Sequence, residues 1–312
     1  MLTHSYHWLV TGGAGFIGSH IVKELVRQGQ KVTVLDDLSG GKLENLVSVQ
    51  DKITFIKGDI CNFSTVLKAC QGTHFLLHLA ALISVAESMA KPQETAQINV
   101  QGTVNVLEAA RQCGVKRVVF SSSAAVYGTR PELPYKETTP IDCQSPYAWS
   151  KQAGAELCQL YTKAYGLEAV ALRYFNVFGP GQNPNSAYAA VIAKFMQLAV
   201  ENKPLGIDWD GLQSRDFVSV KDVVQANLLA AMKGVPGEIY NVASGRTYTL
   251  LELADTIEKV SGRKLERISR PKRLGDVHES SADISKITAL GYKPSVTLED
   301  GLEEMWADKT QK

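Results

Sequence analysis

A chain of 312 residues that is 45% hydrophobic and 21% charged is long enough for one large domain or two ordinary ones and has the balance of a globular fold. Its 33 basic and 32 acidic side chains leave a net charge of +1, which provides no basic surface for nucleic acid or an acidic membrane. No apolar run reaches the ~18 residues of a membrane span and no signal peptide is visible, while five cysteines without a Cys-x-x-Cys pair read as free thiols in a reducing cytoplasm, with no metal site.

Short apolar runs alternate with longer helical patterns. The runs His7–Val10, Lys31–Leu35, Ile53–Ile56, Phe75–Leu79, Arg117–Ser121 and Glu168–Leu172 predict strands buried on both faces. Between them, Phe16–Gln28, Phe63–Cys70, Glu94–Cys113 and Tyr147–Tyr165 predict helices. This alternation is that of a doubly wound parallel α/β sheet, a Rossmann fold with right-handed crossovers. After Arg173 the texture changes. Asn176–Tyr188, rich in Gly, Pro and Asn, predicts a loop. Helices follow at Ala189–Val200, Lys221–Lys233, Leu250–Ser261 and Leu298–Asp308, with strands at Asp216–Val220 and Ile239–Val242. Residues 1–173 plus about 215–242 are thus expected to form the dinucleotide-binding domain. About 174–214 plus 243–312 form a smaller α/β C-terminal substrate lobe.

The first strand runs into Thr11–Gly18. Gly13, Gly15 and Gly18 spell G-x-G-x-x-G, and Gly12 with Gly15 and Gly18 gives a second, overlapping spacing. Between a strand and a helix, such glycines allow a tight turn, close approach of a pyrophosphate, and close helix–strand packing. The helix that opens at Phe16 and Ile17 offers N–H groups to phosphates. The second strand ends at Asp36, close to the ~20-residue separation of an acid that accepts the adenosine ribose hydroxyls. A carboxylate there repels a 2′-phosphate, so the expected cofactor is NAD rather than NADP. Asp59, followed by Ile60, is placed for the adenine amino group; the competing reading is a solvated turn.

Tyr147 and Lys151 are one helical turn apart and share a face. A tyrosine of pKa ~10 is a poor base at neutral pH, and a nearby ammonium lowers that pKa. Ser121–Ser123 closes the fifth strand at the edge where ligands of such sheets bind. A serine hydroxyl there can bridge the phenol and a substrate oxygen.

These motifs together resemble the extended short-chain dehydrogenase/reductases, in their nucleotide-sugar 4-epimerase branch, over nearly the whole chain. The landmarks are TGGAGFIGSH (Thr11–His20), Asp36, GDI (Gly58–Ile60), HLAA (His78–Ala81), Asn99, SSSAAVYG (Ser121–Gly128), SPYAWSK (Ser145–Lys151), RYFNVFGPGQNP (Arg173–Pro184), RDF (Arg215–Phe217) and RLGD (Arg273–Asp276). The resemblance implies that Tyr147 is the base, Lys151 its modulator and a ribose ligand, and Ser123 their hydroxyl partner. It implies that Ala80, Asn99 and Tyr174 line the nicotinamide half, and that Asn176, Arg215, Arg273 and Asp276 hold the nucleotide diphosphate and its ribose. It also implies a homodimer built on Glu94–Cys113 and Tyr147–Tyr165.

The implied reaction is oxidation at sugar C4, turning of the 4-keto sugar, and return of hydride to the other face. The substrates would be UDP-glucose and UDP-galactose. Sugar dehydratases carry an Asp-Glu pair after the active-site Ser or Thr, where this chain has Ala124–Ala125. At the position where a large tyrosine narrows galactose-type pockets, alignment from Arg273–Asp276 places Ser280, leaving room for the acetamido group of UDP-GlcNAc and UDP-GalNAc. Two departures bear on the substrate. Asp208–Gly211 reads DWDG where relatives have a Y-G-D-G-like segment beside the base, and Ile83 stands where many have Lys or Gly near the sugar. Other readings are a UDP-glucuronate-type epimerase, a 4-keto-sugar reductase, or a non-catalytic NAD-sensing scaffold, the last disfavoured by the presence of Tyr147, Lys151 and Ser123.

Overall fold

A computed structural model describes residues 4–184, 191–272 and 278–310. In chain order its elements are β1 (His7–Thr11), α1 (Phe16–Arg27), β2 (Lys31–Asp36), β3 (Ile53–Lys57), α2 (Phe63–Cys70), β4 (Phe75–His78), α3 (Val85–Ala90), α4 (Pro92–Ala96), α5 (Gly102–Gln112), β5 (Arg117–Ser123), α6 (Pro146–Tyr165) and β6 (Glu168–Tyr174). The second half adds β7 (Asn176–Phe178), α7 (Val191–Val200), β8 (Leu205–Asp208), β9 (Ser214–Ser219), α8 (Val220–Lys233), β10 (Ile239–Val242), β11 (Thr247–Thr249), α9 (Leu250–Ser261), β12 (Arg267–Arg270), β13 (Glu279–Ser280), α10 (Ser285–Thr288) and α11 (Leu298–Thr310).

The central sheet has seven strands in the order β10-β6-β5-β4-β1-β2-β3, all parallel. The order reverses between β1 and β4, which opens a crevice at their carboxyl ends. Successive side chains of one strand enter opposite cores. Leu9 and Val118 belong to the apolar cluster under α2, α5 and α6, whereas Val10 and Val119 belong to the one under α1 and α8. Both faces are therefore covered, and this is why the strands read as unbroken apolar runs. The expected Rossmann sheet is present.

A third cluster gathers Phe178, Phe195, Met196, Leu205, Leu253, Leu302 and neighbours in the C-terminal half. Here a smaller sheet forms from β11, β9, β13 and β7. β9 straddles the two regions: Phe217 points into the third cluster and Val218 into the first. The segment expected to be a loop from Asn176 begins instead with β7, paired to β9. Asn176 also donates to the Asp216 carbonyl at 2.9 Å. Residues 185–190, the rest of that loop, lie outside the described residues.

The single helix expected over Glu94–Cys113 is three segments. Between α4 and α5 the chain widens into a π-turn at Gln97–Gln101. The hydroxyl of Thr103 takes the Asn99 carbonyl at 2.5 Å, a side-chain bond that competes with the helical ladder. That bond fixes a longer chain of partners. The Thr103 hydroxyl has spent its proton, so it accepts from His78 Nε2 at 3.1 Å. His78 Nδ1 then accepts from Thr11 at 2.8 Å, and Thr11 Oγ1 accepts from the Ala80 N–H at 3.3 Å.

Burial holds His78 far below the ordinary histidine range, at about 3. A group depressed in the folded state contributes stability that is fully present above the unfolded pKa of 6.5 and is lost as pH falls toward the folded value. His7 and His20 shift in the same direction, both chiefly through burial. Urea unfolding between pH 6 and pH 4 is expected to show His78 contributing a slope of up to ~1.4 kcal/mol per pH unit. His78→Gln removes that share of the slope; an unchanged slope would refute the assignment.

Candidate active site

The glycine turn places its residues by steric necessity at two points. Gly12 has φ +69°, and a Cβ there would lie 2.7 Å from the Ala80 nitrogen. A Cβ on Gly18 would lie 2.2 Å from the Gly12 carbonyl oxygen. The turn therefore seats α1 directly against β1 and β4. Gly15 caps the helix without a side-chain bond, so the N–H groups of Phe16, Ile17 and Gly18 have no intrahelical acceptor and face the crevice end of the helix.

Asp36, at the end of β2, is buried. Its two oxygens accept from the backbone N–H groups of Ala14 and Leu38, both at 2.9 Å. Burial pushes this carboxyl up and the two backbone bonds pull it back. The carboxylate is thus locked to the glycine turn, with lone pairs left over for a ligand. Asp59 is exposed and accepts from the Cys61 N–H at 2.8 Å. Ile60 is buried, and its carbonyl accepts from Asn105 at 2.9 Å. Asn99 is clamped to the segment after β4: its Oδ1 accepts from Leu82 N at 2.7 Å and its Nδ2 donates to Leu82 O at 2.9 Å. A glycine cradle with no room for a Cβ, free helical N–H groups and an anchored acid fit a dinucleotide.

Ser123 ends β5, and its hydroxyl accepts from Ala125 N at 3.2 Å, capping a 3-10 turn over Ala124–Tyr127. Ser145 caps α6 by accepting from Ala148 N, with Pro146 as its first residue. This start brings the half-buried Tyr147 phenol beside Ser123, whose hydroxyl favours the phenolate. Lys151 is buried one turn on. Its Nζ donates to the Ser121 carbonyl at 2.8 Å and lies 5.9 Å from the centroid of the Tyr147 ring.

The serine, tyrosine and lysine thus converge, but their electrostatics differ from the expectation. Burial pushes the Tyr147 phenol up, and the nearby Ser123 hydroxyl pulls it down by less. Burial pulls Lys151 down to about 7. The depression expected from the lysine is not produced by protein groups alone, because that lysine is itself desolvated and turned toward Ser121.

The other predicted residues divide into two groups. Tyr174 is buried, with its hydroxyl donating to Asn227 at 2.9 Å; burial raises its pKa. Arg215, half-buried, donates to Ser214 O at 2.8 Å, and Ser280 on β13 is its register partner. Asn176, on β7, lies beside the same strand β9. Arg273 and Asp276 lie outside the described residues. Trp209, the departure in DWDG, has φ +53° and holds the Lys272 ammonium 3.9 Å from its ring centroid. Ile83 is 72% exposed. Ser88 and Ser150, which no motif spacing singles out, both touch the main chain of Tyr147. Ser150 has only its place before Lys151 as a signal in the sequence, and Ser88 has none.

A parallel sheet with a dinucleotide cradle at its switch point and a Ser–Tyr–Lys group at the next strand end defines an NAD-dependent enzyme of the short-chain dehydrogenase/reductase type. The chain belongs to the NAD dependent epimerase/dehydratase family, whose model matches residues 8–243. It is 40% identical to a UDP-glucose 4-epimerase of Mycolicibacterium smegmatis, over 97% of this chain and 99% of that one. Among solved structures, a UDP-N-acetylglucosamine 4-epimerase from Methanobrevibacter ruminantium, in complex with UDP-N-acetylmuramic acid, superimposes with a TM-score of 0.95 at 38% identity, covering 99% of each chain. A UDP-glucose 4-epimerase from Thermotoga maritima, with UDP-glucose, gives 0.92 at 37%, covering 98% of this chain and all of that one. The resemblance read from the motifs is borne out, and so is NAD as cofactor. Among the described residues no helix is long and apolar enough to cross a membrane.

The contact at Gly18 allows a direct check. Gly18→Ala drives a Cβ into backbone, where no flexible group can yield, and is expected to cost about 3 kcal/mol in urea unfolding. A variant as stable as the parent would show that the turn does not seat α1 as described.

Proposed function

We propose that the chain is a UDP-sugar C4-epimerase with Tyr147 as its base. The observation that carries this reading is the Ser123–Tyr147–Lys151 group at the end of β5, beside the dinucleotide cradle. Bound NAD would supply reversible hydride acceptance, and its positive ring would favour the phenolate. The chain's residues do the rest. Tyr147 takes the proton of the sugar 4-hydroxyl and later restores one. Ser123 holds the phenol and the substrate oxygen together. Lys151, which donates to the Ser121 carbonyl, would also hold the cofactor's ribose and supply positive charge near the phenol. Gly12, Gly15, Phe16, Ile17 and Gly18 would hold the pyrophosphate, Asp36 the adenosine ribose, and Asp59 with Ile60 the adenine. Ala80, Asn99 and Tyr174 frame the nicotinamide half.

Ala124 and Ala125, in their 3-10 turn, offer neither acid nor base for removing water from the sugar. This favours epimerisation over dehydration. A UDP-glucuronic acid 4-epimerase from Bacillus cereus is also similar to this chain, so the sugar class rests on the pocket. Asn176, Arg215, Arg273 and Asp276 are assigned to the nucleotide diphosphate and its ribose, where guanidinium groups suit phosphate oxygens. Ser280, small and half-buried opposite Arg215, leaves width for a 2-acetamido group. Exposed apolar residues on α6, Trp149 and Leu160, support a homodimer through the α5 and α6 faces.

Tyr147→Phe is expected to lower kcat roughly a thousandfold; product analysis by NMR would reveal parental turnover if the phenol were not the base. UDP-glucose and UDP-GlcNAc assayed side by side should both be epimerised. Ser280→Tyr should stop turnover of the acetamido sugar and leave UDP-glucose within about threefold. Good turnover of UDP-glucose with none of UDP-GlcNAc in the parent would remove the role given to Ser280.

A further inference from the structure

We infer that Ser88 and Ser150 form a clamp on the main chain of Tyr147 and fix the phenol against the Ala80–Leu82 segment; this rests on Tyr147 being the base. The amide of Tyr147 belongs to the first turn of α6 and has no acceptor within the helix. Ser145, the cap, is committed to Ala148. The Tyr147 amide donates instead across to α3, where Ser88 Oγ accepts at 3.1 Å. Ser88 is fully buried and sends its own proton back to the Val85 carbonyl. Its free lone pair therefore faces α6.

The carbonyl side is held as firmly. Ser150, also fully buried, donates to Tyr147 O at 2.8 Å. With its one proton spent, its oxygen accepts from Asn99 Nδ2 at 2.9 Å. The other Nδ2 hydrogen and the Oδ1 of Asn99 hold both backbone groups of Leu82. Every hydrogen of this amide is used, and turning it over would break all three bonds. An unbroken line of bonds thus runs from Leu82, beside the predicted nicotinamide floor, through Asn99 and Ser150 to Tyr147, and on to Ser88.

The π-turn at Gln97–Gln101 lets Asn99 reach both sides at once, since it carries Asn99 while its carbonyl is taken by Thr103. Ser88 and Ser150 touch no reacting atom; they are positioning residues. They determine where the phenol oxygen stands relative to the hydride path and to Ser123. Ser123 lowers the Tyr147 pKa, so moving the helix end away from Ser123 raises it.

The test is Ser88→Ala, Ser150→Ala and the double variant in the full-length holoenzyme, with UDP-glucose as probe and Tyr147→Phe in parallel. Each single change should lower kcat about tenfold and the double about a hundredfold, as expected when a reacting group is misplaced by a fraction of an ångström to one ångström. KM and bound NAD should stay within about twofold of the parent, the pattern of an interaction that matters after binding. The limb of the kcat–pH profile set by the base should move to higher pH. If kcat stays within about twofold while the urea midpoint falls, or if bound NAD is lost in step with kcat, the serines are only structural and the inference fails. Should the double variant not fold, the singles decide by the same criteria. Parental turnover by Tyr147→Phe would overturn the reading of the base itself, whatever the serines do.

Discussion

Seven parallel strands must all end on the same side of their sheet, and each chain reversal there has to be made by a connection rather than a hairpin. In this molecule that single edge carries Thr11 with the glycine turn, Asp36, His78 with Ala80, Ser123 and Tyr174. Residues far apart in sequence are neighbours there because the ladder registers align their strand ends. Both faces of the sheet are sealed by helices, so the edge is where backbone and side-chain polar groups can meet a ligand. The cofactor cradle and the placing of the tyrosine–lysine pair are consequences of that geometry.

The edge is braced from behind by polar contacts between residues distant in the chain. Arg173 is buried in β6, and its guanidinium donates to the Tyr127 hydroxyl at 2.9 Å, the Glu137 carbonyl at 3.2 Å and Gln152 Oε1 at 3.1 Å. Tyr127 in turn donates to Asn241 at 2.6 Å. The turn after Ser123, the helix that bears Lys151, and β10 are thereby joined through one cation. Burying a guanidinium is costly unless its hydrogens are satisfied; the two terminal nitrogens are bonded here, while the buried Nε of Arg173 has no partner. The chain Ala80–Thr11–His78–Thr103–Asn99 plays a similar part on the other side of the crevice. Asp216, also buried, closes the third side by accepting from Ser244 and Gly245, which orients the strand that carries Arg215.

Much of this was legible in the sequence where one local cause dominates. Strands covered on both faces must be apolar throughout, and six of them were read to within two residues. The glycine turn was legible because only glycine fits contacts of 2.2 and 2.7 Å. The tyrosine–lysine pair was legible because helical spacing alone puts the two on one face. What escaped depends on partners distant in the chain. β12 is exposed along its length and exists because it pairs with β8. The π-turn leaves the periodicity of its helix nearly intact and arises from the Thr103 and Asn99 side chains. The direction of the Lys151 ammonium follows from burial and the Ser121 carbonyl, neither of which spacing reveals. Ser88 is an ordinary helical serine until α3 is laid against α6.

β10 pairs with β6 only after the chain has passed through β7, α7, β8, β9 and α8. Synthesis proceeds from the N-terminus, so the outer edge of β6 emerges long before its partner does. During that interval a row of unpaired backbone groups is open to any extended segment nearby. The nascent chain is thus most exposed to wrong pairing between completion of β6 and arrival of β10. The outer edge of β6 is covered only when β10 has been made and has folded back, after the strands of the cofactor cradle are already complete.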